Sequence, residues 1–325
     1  MIKNSMTRFA AGFVALCTLA STAVMADDIS VTQWGASLTG LPYIVALEKG
    51  LFQKGGANVT GVIGSGGGGS TVRNILASPL PYGEVSLDAA VSAKQHGLDI
   101  IIVNIGTRRL PGSSVVTLEP AIRSLKDLAG KKAAITTPRS VSEMAFVLGL
   151  KQAGVTIGDV TRVSAGGYAQ GLTMLDHGAV DAASLIEPLS LYQQGKYREV
   201  TSLMNTLPPM VITVGITTRS FAKANPQVIR AIIAAREAAV KAVYADPKAA
   251  LASLAGSPAY KIPPAIAAQT LQHMIAGRTL SEGAFNQAEL DRTLEGLRLV
   301  GAVEGDVDWN ALIDKSYLPE DLKGK

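Results

Sequence analysis

A chain of 325 residues, 47% hydrophobic and 17% charged, can bury a large core but is too long for one open-sheet domain of ordinary size, so two lobes are expected. The formal charge of +4 is spread along the chain, with only Arg108-Arg109 and Lys131-Lys132 as tight basic pairs, which excludes a phosphate-tracking surface for nucleic acid. Cys17 is the only cysteine, and it falls in the leader described next, so disulfides, thiol nucleophiles and cysteine metal sites are excluded from the mature chain together.

Lys3 and Arg8 precede an uncharged run over 9–26 that ends Val24-Met25-Ala26 before Asp27-Asp28. This is the layout of a secretory signal peptide over 1–26, cleaved after Ala26. Its eighteen uncharged residues approach the length of a membrane anchor, but its alanine content and the small residue at its end favour cleavage. Leu16 stands before Cys17 where lipidation would want a small side chain.

From Ile29 onward, β-rich and helical runs alternate: 29–33, a helix over 42–54, 58–63, a helix over 71–77, and 100–103. That βαβαβ order predicts a mainly parallel sheet. A second set follows, with strands at 115–118, 132–135, 160–164 and 182–186 and helices at 140–153 and 170–177. After a strand-like run over 210–217 the remainder is almost wholly helical, with Asn225-Pro226 opening a long helix that Asp246-Pro247 interrupts. The segments 105–112 and 207–214 read as two crossings between lobes. The expected division is 27–106 plus 213–325 for one lobe and 107–212 for the other, with a ligand between them and closure by hinge rotation.

Two strand-to-helix junctions bracket the segment Leu41-Pro-Tyr-Ile-Val-Ala-Leu-Glu-Lys-Gly-Leu-Phe52, and such junctions are where open α/β sheets bind ligands. The run Gly66 to Gly69 with Ser70 and Thr71 sets bare amides and hydroxyls at a helix start, which suits an oxygen-rich or anionic group or serves only as a tight turn. Its residues match neither a P-loop nor a dinucleotide fingerprint. Thr136-Thr-Pro-Arg-Ser-Val-Ser142 forms a similar start in the second lobe, with Ser140 as cap and Arg139 as a forked donor to a carboxylate or sulfonate, or else a surface arginine. Glu84 and Asp88 are placed just after a strand over 80–82, with Asp88 capping a helix over 89–95, and Glu187 ends a strand before Pro188. Acids there would meet an amino group or a protonated ring. Trp34 and Tyr43 offer rings to a flat ligand. His96, His177 and His273 have no partner at zinc-ligand spacing and read as helix-surface residues, and no nucleophile elbow is present, so no enzyme, metal or cofactor is expected.

This order resembles the nitrate, sulfonate and taurine substrate-binding proteins of ABC importers, a family that also includes binding proteins for thiamine-pyrimidine precursors. The resemblance is carried by Pro42 to Phe52, Ser65 to Arg73, Leu125-Lys-Asp-Leu-Ala-Gly-Lys-Lys132, Gly178-Ala-Val-Asp-Ala182 and Glu187-Pro188. It implies a hinged, two-lobed periplasmic binding fold of the second type, α/β with a mainly parallel sheet in each lobe, handing a solute to a membrane permease with its ATPase. Residues matching the family's pocket loops are Ala36 and Ser37, Gly68, Gly69 and Ser70, Glu84 and Ser86, Arg139, Ser140 and Ser142, and Glu187, with Tyr43 beside them. The chain departs from the family at 78–83 and at Pro138-Arg139, both on the cleft. The expected ligand is a small organic anion, a sulfonate or carboxylate; a zwitterion or pyrimidine-like base is the alternative. An enzyme on the same fold and a sensory module reporting to a membrane kinase are the competing functions.

Overall fold

The computed structural model describes residues 27–324, so the leader reading for 1–26 lies outside the described residues. Ten strands and their helices follow in chain order. Strand β1 (Asp27–Thr32) runs through a short 3-10 turn at Leu38–Gly40 into helices α1 (Leu41–Glu48) and α2 (Leu51–Gly55). The single helix expected over 42–54 is therefore two, because Gly50 adopts the left-handed region at φ 61° and restarts the helix. Next come β2 (Val59–Ser65), α3 (Gly68–Ala77), β3 (Tyr82–Ser86), α4 (Leu87–Gln95) and β4 (Ile100–Thr107).

After a crossing, β5 (Ser114–Thr117), β6 (Lys132–Ile135), α5 (Val141–Gln152), β7 (Thr161–Ser164), α6 (Tyr168–Asp176) and β8 (Ala182–Leu185) follow. Then come the short α7 (Leu189–Tyr192), β9 (Arg198–Ser202) and α8 (Leu203–Thr206). The return strand β10 (Thr213–Thr218) leads to α9 (Arg219–Ala224), α10 (Pro226–Ala245), α11 (Pro247–Gly256), α12 (Pro264–Ala276) and α13 (Gln287–Leu299). The proline start at Pro226 and the break at Asp246, whose carboxylate caps α11, fall where the sequence places them.

The strands form two five-stranded sheets, ordered β2-β1-β3-β10-β4 and β7-β6-β8-β5-β9. In the first, β2, β1 and β3 pair in parallel and β10 runs antiparallel to both of its neighbours. In the second, β6 pairs in parallel with β7 and β8, while β5 runs antiparallel to β8 and β9. One reversed strand per sheet leaves each mainly parallel, as the βαβ pattern requires. Helices flank both sheets, giving the hinged, two-lobed α/β architecture of the second type.

The pairing fixes which edges meet. Thr32 pairs with Ser65 and Val31 with Glu84, so the carboxyl ends of β1, β2 and β3 lie side by side. Ile135 pairs with Ser164 and Ala134 with Ala183, so those of β6, β7 and β8 do the same. Ser114, which begins β5, pairs with Leu185 at the end of β8 and with Ser202 at the end of β9, and Thr213 pairs with Thr107 at the end of β4. Both crossings thus join the carboxyl edge of one sheet to the carboxyl edge of the other, and the loops that follow the parallel strands face one cleft. The main apolar core spans the first sheet and continues into the α5 face of the second, where α13 packs on α5; a smaller cluster around Val116, Leu172 and Leu185 lies beneath α6. On the other side α12 touches both the Leu38–Gly40 turn and α7.

Candidate functional site

The cleft-facing loops of the first sheet are built around backbone. Gly67 begins α3 in an extended conformation with no side chain capping the helix. The Ser70 and Thr71 hydroxyls both donate to the Gly67 carbonyl, at 2.8 and 3.0 Å, and so stabilise the turn from within. What faces outward is the amide end of a ten-residue helix formed by Gly68, Gly69 and Ser70, which favours negative charge. A side chain at Gly68 would run into Ala89 and Ser86, so the starts of α3 and α4 abut. Ser37 is buried and accepts from Thr39 N–H to open the 3-10 turn, and Ala36 beside it is exposed.

The Asp88 capping expectation is corrected: Ser86 is the N-cap of α4, which begins at Leu87, and Asp88 lies in its first turn. Its Oδ1 is buried without a hydrogen-bond partner, and burial holds its carboxyl above the ordinary aspartate range despite bonds from Ser86 and the helix amides. A carboxyl that is easier to protonate than usual thus lies in the first turn of α4, whose Ser86 and Ala89 abut Gly68.

In the second sheet, Ser140 caps α5 by accepting from Glu143 N–H at 3.3 Å, as its position suggests. Ser142 is buried and accepts from Thr136 N–H at 3.1 Å, and its hydroxyl lies 3.0 Å from that of Thr136. Arg139 sits at φ 64°, a left-handed conformation that costs a non-glycine residue energy, and its N–H donates to Glu143 Oε2 at 2.6 Å. The backbone is held by that bond while the guanidinium remains on the exposed loop. Arg139 thus lies on the exposed loop that opens α5, beside the cap Ser140 and above the buried Ser142.

Tyr43 and Glu84 are placed differently from the sequence expectation. The strand begins at Tyr82, since Pro81 has no N–H to give to a ladder, and Glu84 falls in the middle of β3 rather than after its end. Only 2% exposed, Glu84 is taken up by partners: Arg236 Nε donates to Oε2 at 2.9 Å, Tyr43 Oη to Oε2 at 2.8 Å, and Thr213 Oγ1 to Oε1 at 2.6 Å. Arg236, 1% exposed, spends its other nitrogens on the Ser281 and Gly106 carbonyls, both at 2.7 Å. Burial opposes the Arg236 charge most, and Glu84 with Tyr43 and Tyr82 together more than offset it, so the guanidinium is held above its ordinary value. Burial, then Glu84, pushes the Tyr43 phenol well up, and burial brings Tyr82 to about 12. This is an internal brace that ties α10 and α1 to the strands beside the crossings. Arg236, the partner that makes it so, lies 152 residues away in an alanine-rich helix and gives no local signal.

Glu187 is also almost buried, at 4%, but its surroundings differ. Its Oε1 lies 2.6 Å from Nδ1 of His273 on α12, and its Oε2 has no partner. Burial raises its carboxyl above the usual glutamate range, and the His273 hydrogen bond opposes the shift. His273 is a helix-surface residue, as expected, with a partner in Glu187 that the sequence does not announce, and His96 and His177 are exposed at helix ends. Glu187 lines a cavity of about 610 Å³, a volume ordinary for small-molecule sites. Ser114, Val116 and Leu185 of β5 and β8 form its back wall, and Gln193, Gln194 and Tyr197 border it beyond α7. Arg109, Met204 and Asn205 close it toward the crossings, and Gln269 and His273 of α12 face it from the other side. Of the sequence-predicted residues only Glu187 lines this cavity. The glutamines and Met204 carry no pattern that distinguishes them from surface and core residues in one sequence.

Residues 39–250 match the family model described as NMT1/THI5 like. No curated protein sequence matches the chain. Among solved structures, the periplasmic aliphatic sulphonate binding protein SsuA from Escherichia coli is similar at 18% identity, covering 88% of this chain and 91% of that one with a TM-score of 0.70. The periplasmic nitrate-binding protein NrtA from Synechocystis PCC 6803 is similar at 14% identity, with 91% and 87% coverage and a TM-score of 0.64. The desulfurization enzyme DSZB shares the fold at 13% identity, with 90% and 97% coverage and a TM-score of 0.63, so the fold by itself accommodates both binding and catalysis. The family match spans well over half of the chain, and the chain belongs to the NMT1/THI5-like family.

Proposed function

We propose that this member of the NMT1/THI5-like family is an exported, periplasmic solute-binding protein that captures a small organic anion between its two lobes and delivers it to the permease and ATPase of an ABC importer. The observation that supports the reading most is topological: both crossings join carboxyl edges, so the uncapped amide end of α3 and the Arg139 loop border the same cleft. Helix-end amides stabilise a carboxylate or sulfonate, and a guanidinium adds a forked contact. The lobes are 27–106 with 213–325, and 107–212. Closure is a rotation about the crossings, with the continuous α13–α5 core as its fixed side and the α12–α7 contact as its opening side.

Asp88 favours one second reading. Its unpartnered Oδ1 in the first turn of α4, the helix whose start abuts that of α3, suits a ligand that brings a donor along with its anionic group, a zwitterion or a pyrimidine-like base. A thermal-shift and calorimetric panel of ethanesulfonate, taurine, nitrate, benzoate and a 4-aminopyrimidine tests both. The anion reading expects saturable binding of ethanesulfonate or benzoate, weakened about tenfold or more by Arg139→Ala. Binding of only taurine or the aminopyrimidine, lost in Asp88→Asn, supports the second reading. A panel with no saturable member sinks both.

A further inference from the structure

The Glu187 cavity stands apart from the anion loops. No residue of the α3 start, the α4 start or the Arg139 loop lines it, and its polar lining is of another kind. We propose that this cavity is a second binding site, beyond the anion site above, that takes a small solute carrying a protonated nitrogen, with Glu187 as its acceptor.

Three observations carry the assignment. Glu187 Oε2 is a buried carboxylate oxygen with no partner, on a residue that lines the cavity. Such a group costs about 1–3 kcal/mol or more unless a donor reaches it, so native structures rarely keep one without use. The charge balance points the same way: Glu187 and Glu199 both line the cavity, and burial raises both carboxyls. Against them stands Arg109, whose Nη1 donates to the backbone carbonyls of Met204 and Leu207, the latter at 2.7 Å, and whose Nε is buried without a partner and can meet an acceptor on the same solute. An ammonium entering the cavity relieves the buried Glu187 and meets a second negative charge on the more exposed Glu199, whereas an anion would add to both. The amides of Gln193, Gln194, Asn205 and Gln269 then supply donors and acceptors for the rest of a polar solute, beside the Tyr197 ring. With the proton on Nδ1, His273 donates to Oε1 and orients the carboxylate, leaving Oε2 to the ligand.

The test is calorimetric titration of the purified chain with 1,4-diaminobutane, agmatine and ethanolamine, using 1,4-butanediol as the uncharged counterpart of the diamine. At least one amine is expected to saturate while butanediol does not. Glu187→Gln should weaken that amine about tenfold or more, the worth of a charge-assisted bond. Glu199→Gln, an exposed position that keeps the fold even if Glu187→Gln does not, should weaken it severalfold. Arg139→Ala should leave the amine isotherm in place. Failure of every amine to saturate, an isotherm unchanged in both glutamine variants, or displacement of the amine by ethanesulfonate overturns the second site. Loss of anion binding with retained amine binding would sink the anion reading alone.

Discussion

Two glutamates of the same chain, one in each sheet, are buried to almost the same degree and are put to opposite uses. Glu84, at 2% exposure, has both oxygens filled by Arg236, Tyr43 and Thr213, while Glu187, at 4%, has one oxygen on His273 and one on nothing. The chain through β4 and the first crossing supplies a matching glycine to each: a side chain at Gly106 of β4 would collide with Glu84, and one at Gly112 of the crossing with Glu187. Burial therefore does not separate a brace from a binding group. The count of unsatisfied atoms does, because a filled carboxylate has nothing left to offer a ligand.

The comparison breaks first at Arg236. Arg236→Ala leaves the Glu84 charge buried with only hydroxyl partners, and its expected cost is about 3–5 kcal/mol in urea unfolding. A loss under about 1 kcal/mol would mean that the cluster is no brace. Gly112→Ala comes next. At φ 53° alanine is strained, and its methyl must displace the Glu187 carboxylate, so a loss of about 2 kcal/mol is expected together with loss of amine binding. Stability intact and amine binding retained would show that Glu187 is not held where it must be for the cavity to work.

Much of this was legible in the sequence, and the failures have two causes, one local and one distant. The βα alternation, the proline-opened α10 and the Ser140 cap are local, set by residues within four or five positions of each other. Glu187 was legible as an acid at a strand end, though not its partner. Glu84 was misplaced because Leu80 and Tyr82 read as strand while Pro81 delays the ladder by two residues, and that shift carries the acid from the sheet's rim to its middle. The pairing of the surface residue His273 with Glu187 gives no signal because the two lie 86 positions apart on different elements. Distant pairing decides what a titratable group does, and one sequence records only its own neighbours.

Asp88 sharpens the comparison as a third carboxyl, held up by burial like Glu187 but located at a helix start. Its folded pKa lies above the unfolded value, so the native state binds its proton more tightly and stability falls as pH rises from the unfolded aspartate range through the folded one. Asp88→Asn removes that fall. Urea unfolding should find the variant more stable by about 1 kcal/mol at pH 7 and equal to the parent near pH 3.5, below both pKa values. A gain that is constant with pH would assign the effect to packing rather than to charge.

The smallest effect expected is also the most discriminating. Glu187→Gln keeps the shape of the side chain, lets Oε1 go on accepting from His273, and puts an amide nitrogen where Oε2 already lacks a partner. One unpaired buried atom replaces another and a desolvated charge disappears, so folding stability should change by less than about 1 kcal/mol in either direction. Amine binding should nevertheless drop about tenfold, because an amide oxygen already bound to His273 has no charge to give an ammonium. Measured by urea unfolding and titration on the same preparation, that split between unchanged stability and lost binding is what a binding carboxylate produces. A stability loss as large as that of Arg236→Ala would instead make Glu187 a second brace, and the contrast between the two glutamates would fail.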